Sequence, residues 1–169
     1  MHPFRTRNCG ELRPGQAGQT VRLSGWVHRK RDHGGVIFID LRDHYGITQI
    51  VVNPARDFFT AAEQVRPESV IIVTGDVVSR TPETVNAGLA TGEIEVVSDA
   101  FAVESAAEQV PFPVNQDLDC PEETRLAYRF LDLRRERLHQ NILLRSKTAQ
   151  LVREQLTSRG FTEYHTPIL

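Results

Sequence analysis

Residues 25–52, GWVHRKRDHGGVIFIDLRDHYGITQIVV, decide the fold. A first strand runs into this stretch from Thr20. It alternates Val21, Leu23 and Val27 on one face with Arg22, Ser24, Trp26 and His28 on the other, the period of a half-buried strand. The cationic tract Arg29, Lys30, Arg31 then leads through Asp32 and His33 to Gly34-Gly35, a turn signal. Residues 36–41 form a second strand, with Ile37, Ile39 and Leu41 toward a core and Val36, Phe38 and Asp40 on the opposite face. A turn closed by Gly46 precedes a third strand at residues 47–52, which Asn53-Pro54 ends.

Working outward, residues 57–65 carry Phe58, Ala61, Ala62 and Val65 at helical spacing. A fourth strand is expected at residues 69–78, and a fifth from Glu93 that extends irregularly toward Val103. Three strands, a short helix and two more strands is the element order of an all-β, five-stranded OB-fold barrel, expected here over residues 1–105. SH3-like and other small β barrels share much of this pattern. Residues 106–123 read as a linker, because no helix runs through Pro111 and Pro113, and Pro121 follows. Residues 124–169 turn helical: Leu126, Phe130 and Leu133 share a face, a long helix is expected at residues 137–159, and Gly160 stands where a left-handed cap ends it. Residues 161–166 are β-prone and Pro167 closes them.

Composition excludes several classes of function. The chain has 169 residues, 40% of them apolar and 25% charged, which suffices to bury a core. No apolar run exceeds four residues, too short to span a membrane, and MHPFRTRNCG lacks the apolar stretch of a signal peptide. The expected compartment is therefore the cytoplasm. Cys9 and Cys120 make no disulfide framework, and neither they nor His28, His33 and His44 fit a metal-ligand spacing, so no metal is expected. No phosphate loop, dinucleotide fingerprint or nucleophile elbow is present, so no catalytic residue is expected in the chain. The net charge of −2 hides a division: residues 1–56 carry +5, residues 57–123 carry −12 and residues 124–169 carry +5. Basic ends around an acidic middle present local positive surface.

Six residues stand out on the strand pattern, with two readings each, and His33 lies beside them. Phe38, opposite the core-facing run, is either a stacking platform for a nucleobase or a second apolar layer beneath a loop. Arg29, Lys30 and Arg31 either neutralise phosphates or form a solvated hairpin end. Gln49 lies in register with Ile47 and Val51; its carboxamide either reads a base edge or is an ordinary edge-strand glutamine. Glu95 either accepts from a base amino group or is solvated with Glu93. His33 sits beside the same tract.

Four stretches taken together carry a resemblance: residues 25–52 quoted above, ATGEIEV at 90–96, YRFLDLRR at 128–135 and GFTEYHTPIL at 160–169. In order and spacing they resemble a bacterial-type aspartyl-tRNA synthetase, a class II enzyme. The resemblance implies an anticodon-binding OB domain, a hinge, and the start of a class II α+β catalytic domain at residues 124–169. It implies that Phe38 stacks on the middle anticodon base, that Gln49 reads that uracil, and that Arg31 and Glu95 lie at the anticodon, Glu95 toward the first base. Arg29 and Lys30 are then the candidate phosphate contacts. His33 matches a position that tends to be His in members charging both aspartate and asparagine tRNA. GFTEYHTPIL resembles class II motif 1, whose Phe161 and Pro167 would belong to a homodimer interface. Motifs 2 and 3, which hold ATP, are expected beyond Leu169, so the 169 residues alone are expected to bind tRNA without activating aspartate. ATP and Mg²⁺ are implied for the full-length aspartate–tRNA ligase. The alternative is a stand-alone OB module for single-stranded nucleic acid.

Overall fold

The computed structural model describes residues 3–116 and 118–165. They form two compact units, Met1–Val110 and Pro111–Leu169. The first contains β1 (Thr20–His33), β2 (Val36–Arg42), β3 (Ile47–Val52), α1 (Phe59–Gln64), β4 (Val70–Ser79) and β5 (Ile94–Ser105). The strands close into a barrel in the order β1-β2-β3-β5-β4, with β3 and β5 parallel and the other pairs antiparallel. Three strands, a helix and two strands is the expected OB-fold order.

Strand alternation builds the interior. Val21, Leu23 and Val27 from β1 and Ile37, Ile39 and Leu41 from β2 meet Ile50, Val52, Ile71, Val73, Ile94 and Val96 in one buried cluster. Helix α1 contributes Ala62, with Val65 just after it, and Phe58, Phe59 and Phe101 pack against the cluster. Ala61, expected on the buried side of this helix, is exposed. Two polar side chains inside the barrel satisfy themselves locally: Thr48 Oγ1 donates to the Cys9 carbonyl, and Ser98 Oγ donates to the Val51 carbonyl at 2.9 Å.

β1 is longer than its first alternating run. The cationic tract is part of the strand, which continues through His33 to the Gly34-Gly35 turn, where both glycines have positive φ. Between Val27 and Arg29 the β1–β2 register shifts at a bulge. A bulge inserts one extra residue, so every side chain beyond it changes face. Arg29, Arg31 and His33 therefore stand opposite Asp40, Phe38 and Val36, on the outer face of the barrel.

The second unit contains α2 (Glu122–Ala127), α3 (Arg129–Asp132) and α4 (Glu136–Ser158). The helix expected through Leu126, Phe130 and Leu133 is broken at Tyr128, whose φ of −111° and ψ of 44° leave the helical region. Leu131 is buried here in place of the exposed Leu126 and Phe130. Arg135 ties the preceding segment down by donating to the carbonyls of Gln116 and Leu118, at 3.3 and 2.6 Å. Helix α4 ends as the position of Gly160 predicts. Gly160 is left-handed, and Phe161 and Gly160 donate to the carbonyls of Leu156 and Thr157, a two-bond left-handed cap. Residues 161–165 form no strand, contrary to their β-prone composition, because a strand needs a paired neighbour and no described residue supplies one. Leu144, Leu151, Val152 and Leu156 on α4 are exposed. No helix among the described residues is long and apolar enough to cross a membrane.

Candidate nucleic-acid interface

Neighbouring strands place residues of the outer face in rows. Arg31, Phe38 and Val51 lie side by side on β1, β2 and β3, and Arg29, Asp40 and Gln49 form the next row. The parallel pairing of Val51 with Val97 brings Glu95 on β5 level with Gln49. Phe38 is half-buried among these polar groups.

A chain of polar contacts crosses the face, linking β1, β2, β3 and β5 with the residue that follows β4. Arg31 Nη2 on β1 donates to Asp40 Oδ1 on β2 at 2.8 Å and to Gln49 Oε1 on β3 at 3.3 Å. Gln49 Nε2 donates to Glu95 Oε2 on β5 at 3.1 Å. Arg80, one residue past β4, brings Nε to 3.6 Å from the same carboxylate oxygen. The carboxamide of Gln49 is therefore held in one orientation. A carboxamide has two donor hydrogens and two acceptor lone pairs, so one donor and one acceptor remain for a base edge. That pair complements uracil, which offers one N–H beside a carbonyl. Glu95 keeps a carboxylate oxygen beyond its bond to Gln49, suited to the paired N–H donors of a guanine edge.

Arg80 was not among the expected site residues. Its side chain is only 4% exposed. Nε donates to the Ile94 carbonyl at 3.0 Å and Nη1 to the Thr84 carbonyl at 3.3 Å, while buried Nη2 has no hydrogen-bond acceptor among the described residues. The sequence held one signal for it. Arg80 and Arg66 are the only cations between residues 57 and 123, against fourteen acidic residues.

The remaining expected residues are placed as follows. His33 is exposed at the end of β1, opposite Val36, one row beyond Arg31 and Phe38. Arg29 is exposed on the outer face. Lys30 is turned away by the bulge, and its Nζ donates to the Glu63 carbonyl at the end of α1. Phe161 lies in the second unit and is exposed. Pro167 lies outside the described residues.

Residues 21–104 match the model of the OB-fold nucleic acid binding domain, and residues 121–169 match that of the class II tRNA synthetases (D, K and N). The aspartate–tRNA(Asp/Asn) ligases of Phenylobacterium zucineum and Zymomonas mobilis are 58% and 56% identical to this chain over 169 residues, all of its length. The chain belongs to the aspartyl-tRNA synthetase family. It spans 28% of the length of each of those two relatives. The aspartyl-tRNA synthetase of Entamoeba histolytica has the same architecture, with a TM-score of 0.85 and 26% identity over 94% of this chain and 38% of that one. In this synthetase chain the contacts among Arg31, Gln49, Glu95 and Arg80 all lie within residues matched as the nucleic-acid-binding OB domain.

Proposed function

We propose that this chain reads the anticodon of an aspartate tRNA for an aspartate–tRNA ligase. The observation that carries the proposal is the polar chain Arg31–Gln49–Glu95, which fixes the orientation of two base-reading groups beside the half-exposed ring of Phe38. Phe38 takes the middle base by stacking, and Gln49 pairs with that uracil through its remaining donor and acceptor. Glu95 takes the first base, a guanine. Arg31 orients Gln49, and Arg29 lies where a phosphate passes the hairpin; Lys30 joins it only after leaving the Glu63 carbonyl.

In this reading residues 1–105 are the anticodon-binding domain, residues 106–123 the hinge, and residues 124–169 the start of the catalytic domain. The complete ligase joins aspartate to tRNA through an aspartyl-adenylate, in the cytoplasm, as a homodimer whose interface includes Phe161 and Pro167. ATP and Mg²⁺ supply the activation chemistry. Residues 21–104, matched as an OB-fold nucleic acid binding domain, contribute RNA recognition to that reaction. The two relatives named for both tRNAs, together with His33 at the rim, support asparagine tRNA as a second substrate.

Fluorescence anisotropy with labelled stem-loops tests the reading. The 169-residue chain should bind an aspartate anticodon stem-loop at least tenfold more tightly than an unrelated one, with an affinity that falls as salt rises. Equal affinity for both would leave only a general single-strand binder.

A further inference from the structure

The bulge in β1 decides which cations reach the face of Phe38, and it is braced by four side chains that the base-reading site does not use. Upstream of it Trp26 pairs with Arg42, and downstream Arg29 and Arg31 pair with Asp40 and Phe38. Without the extra residue, simple alternation would place Lys30 with Trp26 and His28 and turn Arg29 and Arg31 toward the core side.

The bracing comes from the segment before β4. Glu68 has a φ of 67°, a left-handed conformation that is uncommon outside glycine. Its backbone N–H donates to the Val27 carbonyl at 2.8 Å, and the Val27 N–H donates to the Ser69 carbonyl at 2.9 Å. The Glu68 carboxylate accepts from Arg42 Nη2 on both oxygens, at 2.8 and 2.9 Å. Arg42 Nη1 lies 2.8 Å from His28 Nδ1, and the guanidinium stands over the Trp26 ring at 6.0 Å. A guanidinium only donates. His28 Nδ1 is therefore the acceptor and carries no proton in this arrangement.

We propose that His28, Arg42 and Glu68 form a proton-sensitive clamp on the β1 bulge, which sets the register of Arg29 and Arg31 on the RNA-reading face. The clamp's role in binding rests on the anticodon-reading function proposed above. A proton on Nδ1 would point an N–H at the N–H of Arg42 and open the link between β1 and β2. The charged groups around His28 are Arg42 and Asp40 on β2, Glu68 ahead of β4, and Arg29 on its own strand. Burial, then Arg42, hold the imidazole below its usual pKa, against the opposing pull of Asp40 and Glu68. The clamp is closed at neutral pH and opens on acidification.

Trp26 is the single tryptophan of the chain, so its emission reports the clamp directly. Emission and stem-loop affinity should be followed from about pH 5 to pH 8 in the wild type and in His28→Gln, since the usual imidazole value is about 6.5. The glutamine oxygen can accept from Arg42 and does not titrate. The wild type should show one emission transition below about pH 6.5, and its affinity should fall relative to the variant by up to about tenfold per pH unit below that midpoint. His28→Gln should show flat emission and wild-type affinity at neutral pH. Comparison of the two profiles cancels the contribution of the other histidines, His33 among them. Glu68→Gln, which removes a charge favouring the protonated ring, should move the midpoint to lower pH. A transition that persists in His28→Gln, its absence from the wild type, or identical binding profiles would overturn the clamp. A wild type that binds no stem-loop at any pH would overturn the positioning role together with the RNA reading, and the Trp26 transition tells that failure from the clamp's own.

Discussion

Replacing Phe38 by alanine should remove base stacking while leaving the electrostatics of the face intact. Phe38 lies between Arg31 and Val51 on the outer face, half-buried, so the barrel interior does not depend on its ring. Deleting a fully buried phenylalanine costs about 3–5 kcal/mol; this half-exposed one should cost clearly less stability, and the variant should unfold cooperatively. Stacking of one base on an aromatic side chain is worth about 1–3 kcal/mol, which corresponds to a Kd weaker by roughly five- to 150-fold. No phosphate contact is lost, so the slope of log affinity against log salt should not change. Fluorescence anisotropy of an aspartate anticodon stem-loop across a salt series separates the two quantities. Phe38→Trp, which keeps an aromatic face, should retain most of the affinity, and Phe38→Leu, equally apolar, should not. Unchanged affinity in Phe38→Ala, or a loss confined to the salt slope, would refute stacking at this position.

Other consequences follow from particular contacts. In the longer ligase, His33→Leu should raise the ratio of kcat/KM for aspartate over asparagine tRNA by about fivefold, the worth of one hydrogen bond; an unchanged ratio would remove His33 from tRNA discrimination. A Cβ on Gly25 would lie 2.2 Å from the Arg42 carbonyl oxygen, so Gly25→Ala should lower stability by about 1–3 kcal/mol in urea unfolding. Burial first, and then Asp43, push the Cys9 thiol pKa up. A group whose folded pKa is raised stabilises the fold below its unfolded value, about 8.5 for a thiol, and loses that contribution as pH rises toward the folded value. The urea midpoint should therefore decline above about pH 8.5, the decline should be absent from Cys9→Ala, and iodoacetamide should label Cys120 before Cys9. A midpoint that stays level into alkaline solution in the wild type would contradict this.

Strand alternation made much of the barrel legible. The interior set Ile37, Ile39 and Leu41 and the outward Phe38 are readable because each strand has one wet face and one dry face. Gln49 and Glu95 are readable as polar exceptions among β-branched neighbours. The contacts that join them across β3 and β5 are not, since a parallel pairing distant in sequence leaves no local mark. The bulge is hidden as well: its bracing residue, Glu68, lies forty residues from His28 and carries no glycine to advertise a left-handed backbone. For that reason Lys30, one of three consecutive cations, points to α1 while its neighbours face Phe38. Arg80 is only hinted at by its place as one of two cations in an acidic segment, because its contribution comes from burial against Glu95, which sequence does not show. The β-prone residues 161–165 show the converse, propensity without a partner.

In the proposed function a Gln49 held in one orientation reads the middle anticodon base. The direct measurement compares the affinity of the chain for two aspartate anticodon stem-loops that differ only by cytosine in place of the middle uracil, in the wild type and in Gln49→Ala. Cytosine carries a donor at N4 and an acceptor at N3, the reverse of uracil, so a carboxamide held in one orientation by Arg31 and Glu95 meets like groups. The wild type should prefer uracil by about tenfold or more, one to two hydrogen bonds' worth, and Gln49→Ala should bind the two alike. Equal binding by the wild type, or a preference that survives in Gln49→Ala, would rule out Gln49 as the reader of that base.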